Sequence, residues 1–154
     1  MYRQAAAEGL RLVAHAGEEG GPDTVHEALD LLQVERVDHG VRSVEDPGLV
    51  AKLRDRQTAL TVGPLSNVAL RVVDTLSQHP LPSMLEAGLL ACVNSDDPAY
   101  FGGYVDDNLA AVRAAFGFGD AALAGLARNS FDACFALAAD KARWKAEVDA
   151  WPDL

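Results

Sequence analysis

The feature that most constrains this chain is a regular spacing of polar or glycine residues that follow short apolar runs. His15, His39 and Gly63 lie 24 residues apart, and Asp96 follows 33 residues after Gly63. The runs are near-continuously apolar rather than cleanly alternating, as is typical of strands buried on both faces of a parallel sheet. A repeat of this length holds one strand and one helix, so the sequence predicts consecutive βα units with right-handed crossovers.

The predicted elements alternate along the first two thirds of the chain. Strands are expected at 10–13, 34–37, 59–62 and 89–93. Helices begin near Pro22, Pro47 and Pro82, because proline suits the first turn of a helix and not its interior. A glycine-rich loop is predicted at 98–104, and three helical stretches follow at 106–116, 120–138 and 140–150.

Length, charge and cysteine content narrow the class of protein. The 154 residues suit a single domain over 1–154, whereas a closed (β/α)8 barrel needs roughly 200 or more. A net charge of −10 argues against a nucleic-acid partner, and no run approaches the roughly 18 apolar residues of a membrane span. The N-terminus lacks the apolar core of a secretory signal. We expect Cys92 and Cys134 to be buried, reduced thiols in a cytoplasmic protein.

Reactive side chains gather where the predicted strands end. His15 precedes Glu18 by three residues, His39 follows an aspartate, and Asp96 is followed by Asp97. Each motif alone has a plain alternative: a hydrogen-bonded core histidine, a satisfied buried pair, or a turn. Because parallel strands end at one edge of a sheet, however, we expect these groups to lie together. Histidine nitrogens beside carboxylates indicate a mononuclear metal hydrolase, in which the metal lowers the pKa of a bound water.

Four motifs resemble the adenosine/adenine deaminase family in order and approximate spacing. They are His-Ala-Gly-Glu at 15–18, Asp-His-Gly at 38–40, Pro-Leu-Ser-Asn at 64–67 and Ser-Asp-Asp-Pro at 95–98. The third motif, with residues 94–104, is more similar to the adenine deaminase branch. The resemblance covers about residues 6–138. It implies the C-terminal half of a (β/α)8 TIM barrel, with about four parallel strands, their helices and further C-terminal helices.

The resemblance implies a role for each matching residue. His15 and Asp96 correspond to two of the zinc ligands. Glu18 corresponds to the acid that protonates purine N1, and His39 to the residue that orients and deprotonates the zinc-activated water. Gly17 corresponds to a substrate-binding position, and so does Asp97 as the acceptor that meets purine N7. The implied reaction is hydrolytic deamination at C6 of a purine base or nucleoside, adenine or adenosine, with release of ammonia.

The sequence also departs from the family pattern. Members carry a first-strand His-x-His pair that supplies two further zinc ligands, and this sequence contains no His-x-His. The remaining histidines, His26 and His79, are expected in surface positions. Gly63 stands where the adenine branch usually has cysteine.

Two main hypotheses follow from these departures. The chain is half of a zinc-dependent deaminase that needs an N-terminal half as partner, or it is a non-catalytic half-barrel that forms a homo-oligomer. The second hypothesis arises because four strands cannot close a barrel and leave open edges. A relative that acts on a substrate other than a purine is a further alternative.

Overall fold

A computed structural model describes residues 1–151 and contains four short parallel strands in one sheet. The strands are β1 (Val13–Ala16), β2 (Arg36–His39), β3 (Ala59–Val62) and β4 (Ala91–Val93), and they pair in the order β1-β2-β3-β4. His15 pairs with Asp38, and Asp38 pairs with Thr61. The polar residues of neighbouring strands therefore lie level with one another at one edge, as the spacing predicts.

Helices connect these strands and complete the chain. They are α1 (Tyr2–Ala7), α2 (Pro22–Asp30), α3 (Pro47–Arg56), α4 (Pro64–Ala69), α5 (Leu81–Glu86), α6 (Pro98–Phe101), α7 (Val105–Phe116), α8 (Asp120–Ala133) and α9 (Ala138–Asp149). Short 3-10 helices lie at Val41–Glu45 and Leu76–Gln78. Proline occupies the first turn of α2 to α6. In the part of the chain that the structure describes, no helix has the length and apolarity needed to cross a membrane.

Two apolar clusters cover the two faces of the sheet. The larger one joins side chains such as Leu60 of β3 to Leu49 and Leu53 of α3 and Met84 of α5, all fully buried. Side chains alternate along a strand, so Ala59 faces the other side and packs with Cys92 and Ala133 in the smaller cluster. Burial on both faces explains why β3 and β4 are nearly apolar throughout, whereas β1 and β2 are only partly buried and carry polar residues such as His15 and Asp38.

The first two strands begin later than the apolar runs suggest. β1 starts at Val13, where pairing with Arg36 begins, and Leu10 before it is exposed. The ladder extends through His15 and His39, which therefore lie inside strands rather than after them. Interstrand pairing, which the local pattern does not contain, decides these boundaries.

The C-terminal region differs from the predicted pattern at two places. The predicted loop 98–104 contains α6, whose N-cap is Asp97. The predicted helix 120–138 ends at Ala133 because the backbone of Cys134 is extended, with φ −75° and ψ 163°. Phe135 instead lies beneath the guanidinium groups of Arg11 and Arg36, and Cys134 is half-buried rather than buried.

Candidate metal centre and catalytic site

An open, polar cavity of about 290 Å³ lies at the carboxyl edge of the sheet. Its walls consist of strand-end residues, and it is where ligands bind in parallel α/β sheets. The lining residues are His15, Arg36, Asp38, His39, Thr61, Gly63, Asn94, Ser95 and Asp96. Three of the six predicted site residues, His15, His39 and Asp96, therefore share one cavity.

His39 stands at the centre of the reactive groups. Its Nδ1 lies 3.2 Å from Oε1 of Glu18, and its Nε2 lies 4.0 Å from Oδ2 of Asp96. One ligand atom from each of these three residues lies within 4.8 Å of the other two. The residues come from segments 21 and 57 positions apart, so the sheet brings them together.

Left-handed backbone places two of these side chains. His39 has φ 69° and Asp96 has φ 57°, values that are uncommon for residues other than glycine. Such conformations persist where surrounding structure imposes them, and they cluster at functional sites. Gly17, which precedes Glu18, also has left-handed backbone, with φ 66°. A Cβ at Gly17 would lie 2.6 Å from Val25 Cγ2. The backbone geometry therefore matches the predicted active edge.

Burial sets the protonation of Glu18 and His39 in opposite ways. Burial raises the pKa of Glu18, and the nearby charge of Asp96 raises it further. Burial also lowers the pKa of His39; the nearby charge of Asp96 opposes this in part, and the adjacent His15 adds to the lowering. Glu18 therefore retains its proton to higher pH than usual, as suits a general acid. His39 remains neutral, which is the form that accepts a proton or binds a metal.

Asn67 is a site residue to which the sequence analysis gave no role. It is fully buried, and its Nδ2 lies 3.1 Å from Glu18 Oε1 and 3.3 Å from His39 Nδ1. It belongs to the first helical turn after β3, in the Pro-Leu-Ser-Asn motif that carries the resemblance. A buried amide directly after a strand end is the signal that could have identified it.

The predicted surface position of His79 is wrong. His79 is only 3% exposed, and its ring contacts Asn67 on one side and the backbone of Leu81 on the other. Burial lowers its pKa to about 4. His26, by contrast, lies on α2 with a partly exposed ring that contacts Asp46, the N-cap of α3, at 3.0 Å.

His15 lies at the rim of the cavity, outside the closest cluster. Its side chain is 70% exposed, its Nδ1 is 3.8 Å from Asp38 Oδ2, and its ring centroid is 5.1 Å from that of His39. Asp38 is itself held, because its Oδ1 accepts hydrogen bonds from Thr61 Oγ1 and Arg36 Nε at 2.6 and 3.3 Å. Because the fixed carboxylate of Asp38 lies beside Nδ1 of His15, Nε2 of His15 is left available as a metal ligand.

Comparison with known proteins decides the family. The sequence matches the family model described as adenosine deaminase over residues 1–151. The chain belongs to the adenosine deaminase family.

Members of the family match the chain closely in sequence and structure. The adenine deaminase of Streptomyces coelicolor is 62% identical over 98% of this chain and 45% of its own length. The crystal structure of an adenine deaminase from Arthrobacter aurescens superposes with a TM-score of 0.96 at 55% identity, over 97% of this chain and 46% of that one. A zinc-bound amidohydrolase from Burkholderia ambifaria is 36% identical, with a TM-score of 0.87 over 96% of this chain and 42% of its own.

The chain spans about half the length of the curated relatives it matches. Its four parallel strands and their helices form the C-terminal half of a (β/α)8 barrel, as the motifs predict. The family is one of enzymes, so the strand-end cavity is a candidate active site. The resemblance inferred from four motifs is confirmed.

The side chains at this edge fit a zinc ion in their chemistry. Zinc in catalytic sites is held by histidine nitrogens and carboxylate oxygens, and three protein ligands are usual. Glu18, His39 and Asp96 present such atoms together, and burial keeps His39 in the neutral form. This cluster differs from the predicted ligand pair, His15 and Asp96, because His15 is directed toward Asp38. The assignment of His15 as ligand stays a prediction.

The two predicted substrate-binding positions make contacts within the protein. Gly17 N–H donates to Thr24 Oγ1 at 2.9 Å. Asp97 does not line the cavity, and its Oδ1 accepts the N–H groups of Ala99 and Tyr100 at 3.1 and 3.2 Å. Asp97 therefore caps α6, which is the turn role considered as its alternative. The substrate contacts of both residues stay predictions.

Gly63 lies in tight surroundings at the end of β3. Its carbonyl accepts hydrogen bonds from Ser66 Oγ and Asn67 N, both at 2.9 Å. A Cβ at this position would lie 2.5 Å from Ser66 Oγ and 3.2 Å from Asp96 Cβ. A larger residue at position 63 would therefore require Ser66 to rotate and would crowd Asp96.

Proposed function

We propose that this chain supplies the C-terminal half of the active site of a zinc-dependent enzyme that deaminates a 6-aminopurine. The observation that carries the proposal is the convergence of Glu18, His39 and Asp96 within 4.8 Å at one strand edge. Adenine is the favoured substrate because relatives 51–62% identical to the chain are named adenine deaminase. The products would be ammonia and the 6-oxopurine.

Zinc, when bound, would supply a Lewis acid that lowers the pKa of a water molecule to about 7. Asp96 and His15 would hold it from this chain. The His-x-His pair that the family resemblance implies would come from a complementary N-terminal half. Asp38 would orient His15, since carboxylates commonly hold the second nitrogen of a metal-bound histidine.

Glu18 would act as the general acid. Its contacts with Asn67 and His39 are both made by Oε1, at 3.1 and 3.2 Å, which leaves Oε2 to face a substrate nitrogen. The raised pKa of Glu18 lets the carboxyl hold a proton to higher pH than an ordinary glutamate. Transfer of that proton to purine N1 would draw electrons from C6 and make it more susceptible to attack by water.

His39 would position the attacking water and accept its proton. With a proton on Nδ1, the ring donates to Oε1 of Glu18 at 3.2 Å and keeps a lone pair on Nε2; the Asn67 amide, whose Nδ2 lies 3.3 Å from Nδ1, then donates to the same oxygen rather than to the ring. Nε2 faces Asp96 across 4.0 Å, so a water located there would contact both residues. The lowered pKa of His39 keeps the ring neutral before the reaction.

Mixing this chain with a matching N-terminal half that contains the His-x-His pair tests the proposal. With zinc present, we expect ammonia release from adenine, and a loss of at least about 100-fold in Glu18→Gln, the loss typical of a general acid. Glu19→Gln is the matched control, because Glu19 is an exposed neighbour of the same charge. A folded, zinc-loaded complex that releases no ammonia from either adenine or adenosine would contradict the proposal.

The homo-oligomer remains the alternative function class. β1 pairs only with β2, and β4 only with β3, so within residues 1–151 each has one edge without a strand partner. Such edges favour association with another chain. A complementary half and a second copy of this chain would compete for the same edges. Deaminase activity in the mixed complex distinguishes the two hypotheses, because a homo-oligomer without the N-terminal half would have none.

A further inference from the structure

His79 is a buried histidine that the proposed reaction does not use. Leu81 N–H donates to its Nδ1 at 3.0 Å, and its Nε2 lies 3.1 Å from Asn67 Oδ1. The side chain sits just before α5 and outside the cavity lining. Its two ring nitrogens therefore join the start of α5 to the residue that contacts Glu18 and His39.

The backbone contact fixes the tautomer of His79. A backbone N–H is always a donor, so Nδ1 must carry a lone pair. Burial lowers the pKa of the ring to about 4, so the ring is neutral at neutral pH and its one proton sits on Nε2. Nε2 therefore donates to Asn67, and the atom of Asn67 that faces it must be the carbonyl oxygen.

This assignment fixes the orientation of the Asn67 amide. With its carbonyl held by His79, the NH₂ group faces Oε1 of Glu18 at 3.1 Å. A flipped amide would oppose N–H to N–H at His79 and would offer Glu18 a carbonyl oxygen. That oxygen would attract the acid proton of Glu18 away from the substrate.

We propose that His79 is a positioning residue, which acts through Asn67 to keep an N–H donor on Oε1 of Glu18. The acid proton then stays on Oε2, the oxygen assigned to the substrate. The inference rests on the role proposed for Glu18, and it adds a second buried histidine to the site. His79 touches neither the cavity nor the reacting atoms.

Two substitutions separate this role from a purely structural one. In His79→Gln, the side-chain nitrogen reaches the place of Nε2 and retains a donor for Asn67, while the acceptor for Leu81 is lost. In His79→Asn, the amide oxygen takes the place of Nδ1 and retains the acceptor for Leu81, while the donor for Asn67 is lost. A residue that only holds the start of α5 would show the opposite ranking.

The first measurement is spectroscopic and needs neither substrate nor the N-terminal half. Long-range ¹H–¹⁵N spectra of the uniformly ¹⁵N-labelled chain should show His79 protonated on Nε2 alone, and the Asn67 NH₂ signals should be shifted by their contact with Glu18. His79→Gln should retain those NH₂ shifts, and His79→Asn should lose them. A proton on Nδ1 of His79 would overturn the proposal.

The second measurement is kinetic and uses the chain combined with its N-terminal half. Loss of an outer contact of this kind typically costs about 10- to 100-fold, so we expect that loss in kcat for His79→Asn, with KM changed less than about threefold. His79→Gln should retain most of kcat. The reverse ranking would overturn the proposal. An inactive wild-type complex would contradict the proposed function, whereas the spectra would still report on the contact.

Discussion

Nε2 of His39, the last residue of β2, faces Oδ2 of Asp96, which follows β4, at 4.0 Å, although β2 and β4 are not neighbours. β3 lies between them and is followed by Gly63, where a Cβ would come within 3.2 Å of Asp96. Both residues adopt left-handed backbone to reach this position. The site therefore depends on three adjacent strand ends, two of which hold left-handed backbone.

Replacement of Gly17 by alanine should destabilise the fold. Its φ of 66° disfavours a side chain, and a Cβ would lie 2.6 Å from Val25 and 3.2 Å from Gly40. We expect Gly17→Ala to lower the free energy of unfolding by about 1–3 kcal/mol, measured by urea denaturation. Gly125→Ala is the control, since Gly125 lies inside α8 with open space around it, and should raise stability by up to about 1 kcal/mol. Equal effects of the two substitutions would contradict this account.

Stability should fall as the pH falls from about 6.5 to 4 because His79 is buried. An unfolded histidine binds a proton near pH 6.5, whereas burial lowers the pKa of His79 in the fold to about 4. The unfolded state therefore binds more protons in this window, and the free energy of unfolding rises with pH. Between pH 7 and pH 5 the contribution of His79 is about 2 kcal/mol.

Comparison with His79→Gln isolates this contribution. The pKa of His39 is also lowered, so His39 makes the free energy of unfolding rise with pH in the wild type and in the His79→Gln variant alike. Urea denaturation between pH 5 and pH 7 should give a shallower dependence in the variant. An unchanged slope would show that His79 does not titrate below its ordinary range.

The strand order and the active edge were predictable from sequence, and the supporting contacts were not. Near-continuous apolar runs and a 24-residue repeat predict parallel βα units, and these locate His15, His39 and Asp96 at one edge. The hydrogen bond between Asn67 and His79 joins a residue of α4 to one 12 positions later, just before α5. No periodic pattern marks such a pair, because it exists only when α4 and the start of α5 meet in the fold.

Substitution of Asp97 separates its two roles. Asn caps helices about as well as Asp, so Asp97→Asn should keep the contacts to Ala99 and Tyr100 and change stability by less than about 0.5 kcal/mol. Asp97→Ala should cost about 1 kcal/mol, because the cap is lost. If Asp97 meets the purine as well, both variants should raise KM in the combined enzyme. An unchanged KM in both would limit Asp97 to capping α6.

The open edges predict association of the isolated chain. β1 and β4 each have one edge without a strand partner in the described residues, so we expect a dimer or larger assembly in solution. Analytical ultracentrifugation over a range of concentrations measures this directly. Addition of the N-terminal half should convert the assembly to a one-to-one complex. A monomer at every concentration would contradict the prediction.

The most direct test of the account is the zinc content of the chain alone and of its complex with the N-terminal half. The proposal assigns Glu18 and His39 to proton transfer, which leaves Asp96 and His15 as ligands from this chain. Because two ligands are too few for a tight site, the chain alone should hold zinc weakly after gel filtration. The complex should retain one zinc ion, and Asp96→Asn should lose it while Asp97→Asn retains it. Tight, stoichiometric zinc in the chain alone, or a folded complex without zinc, would contradict the account.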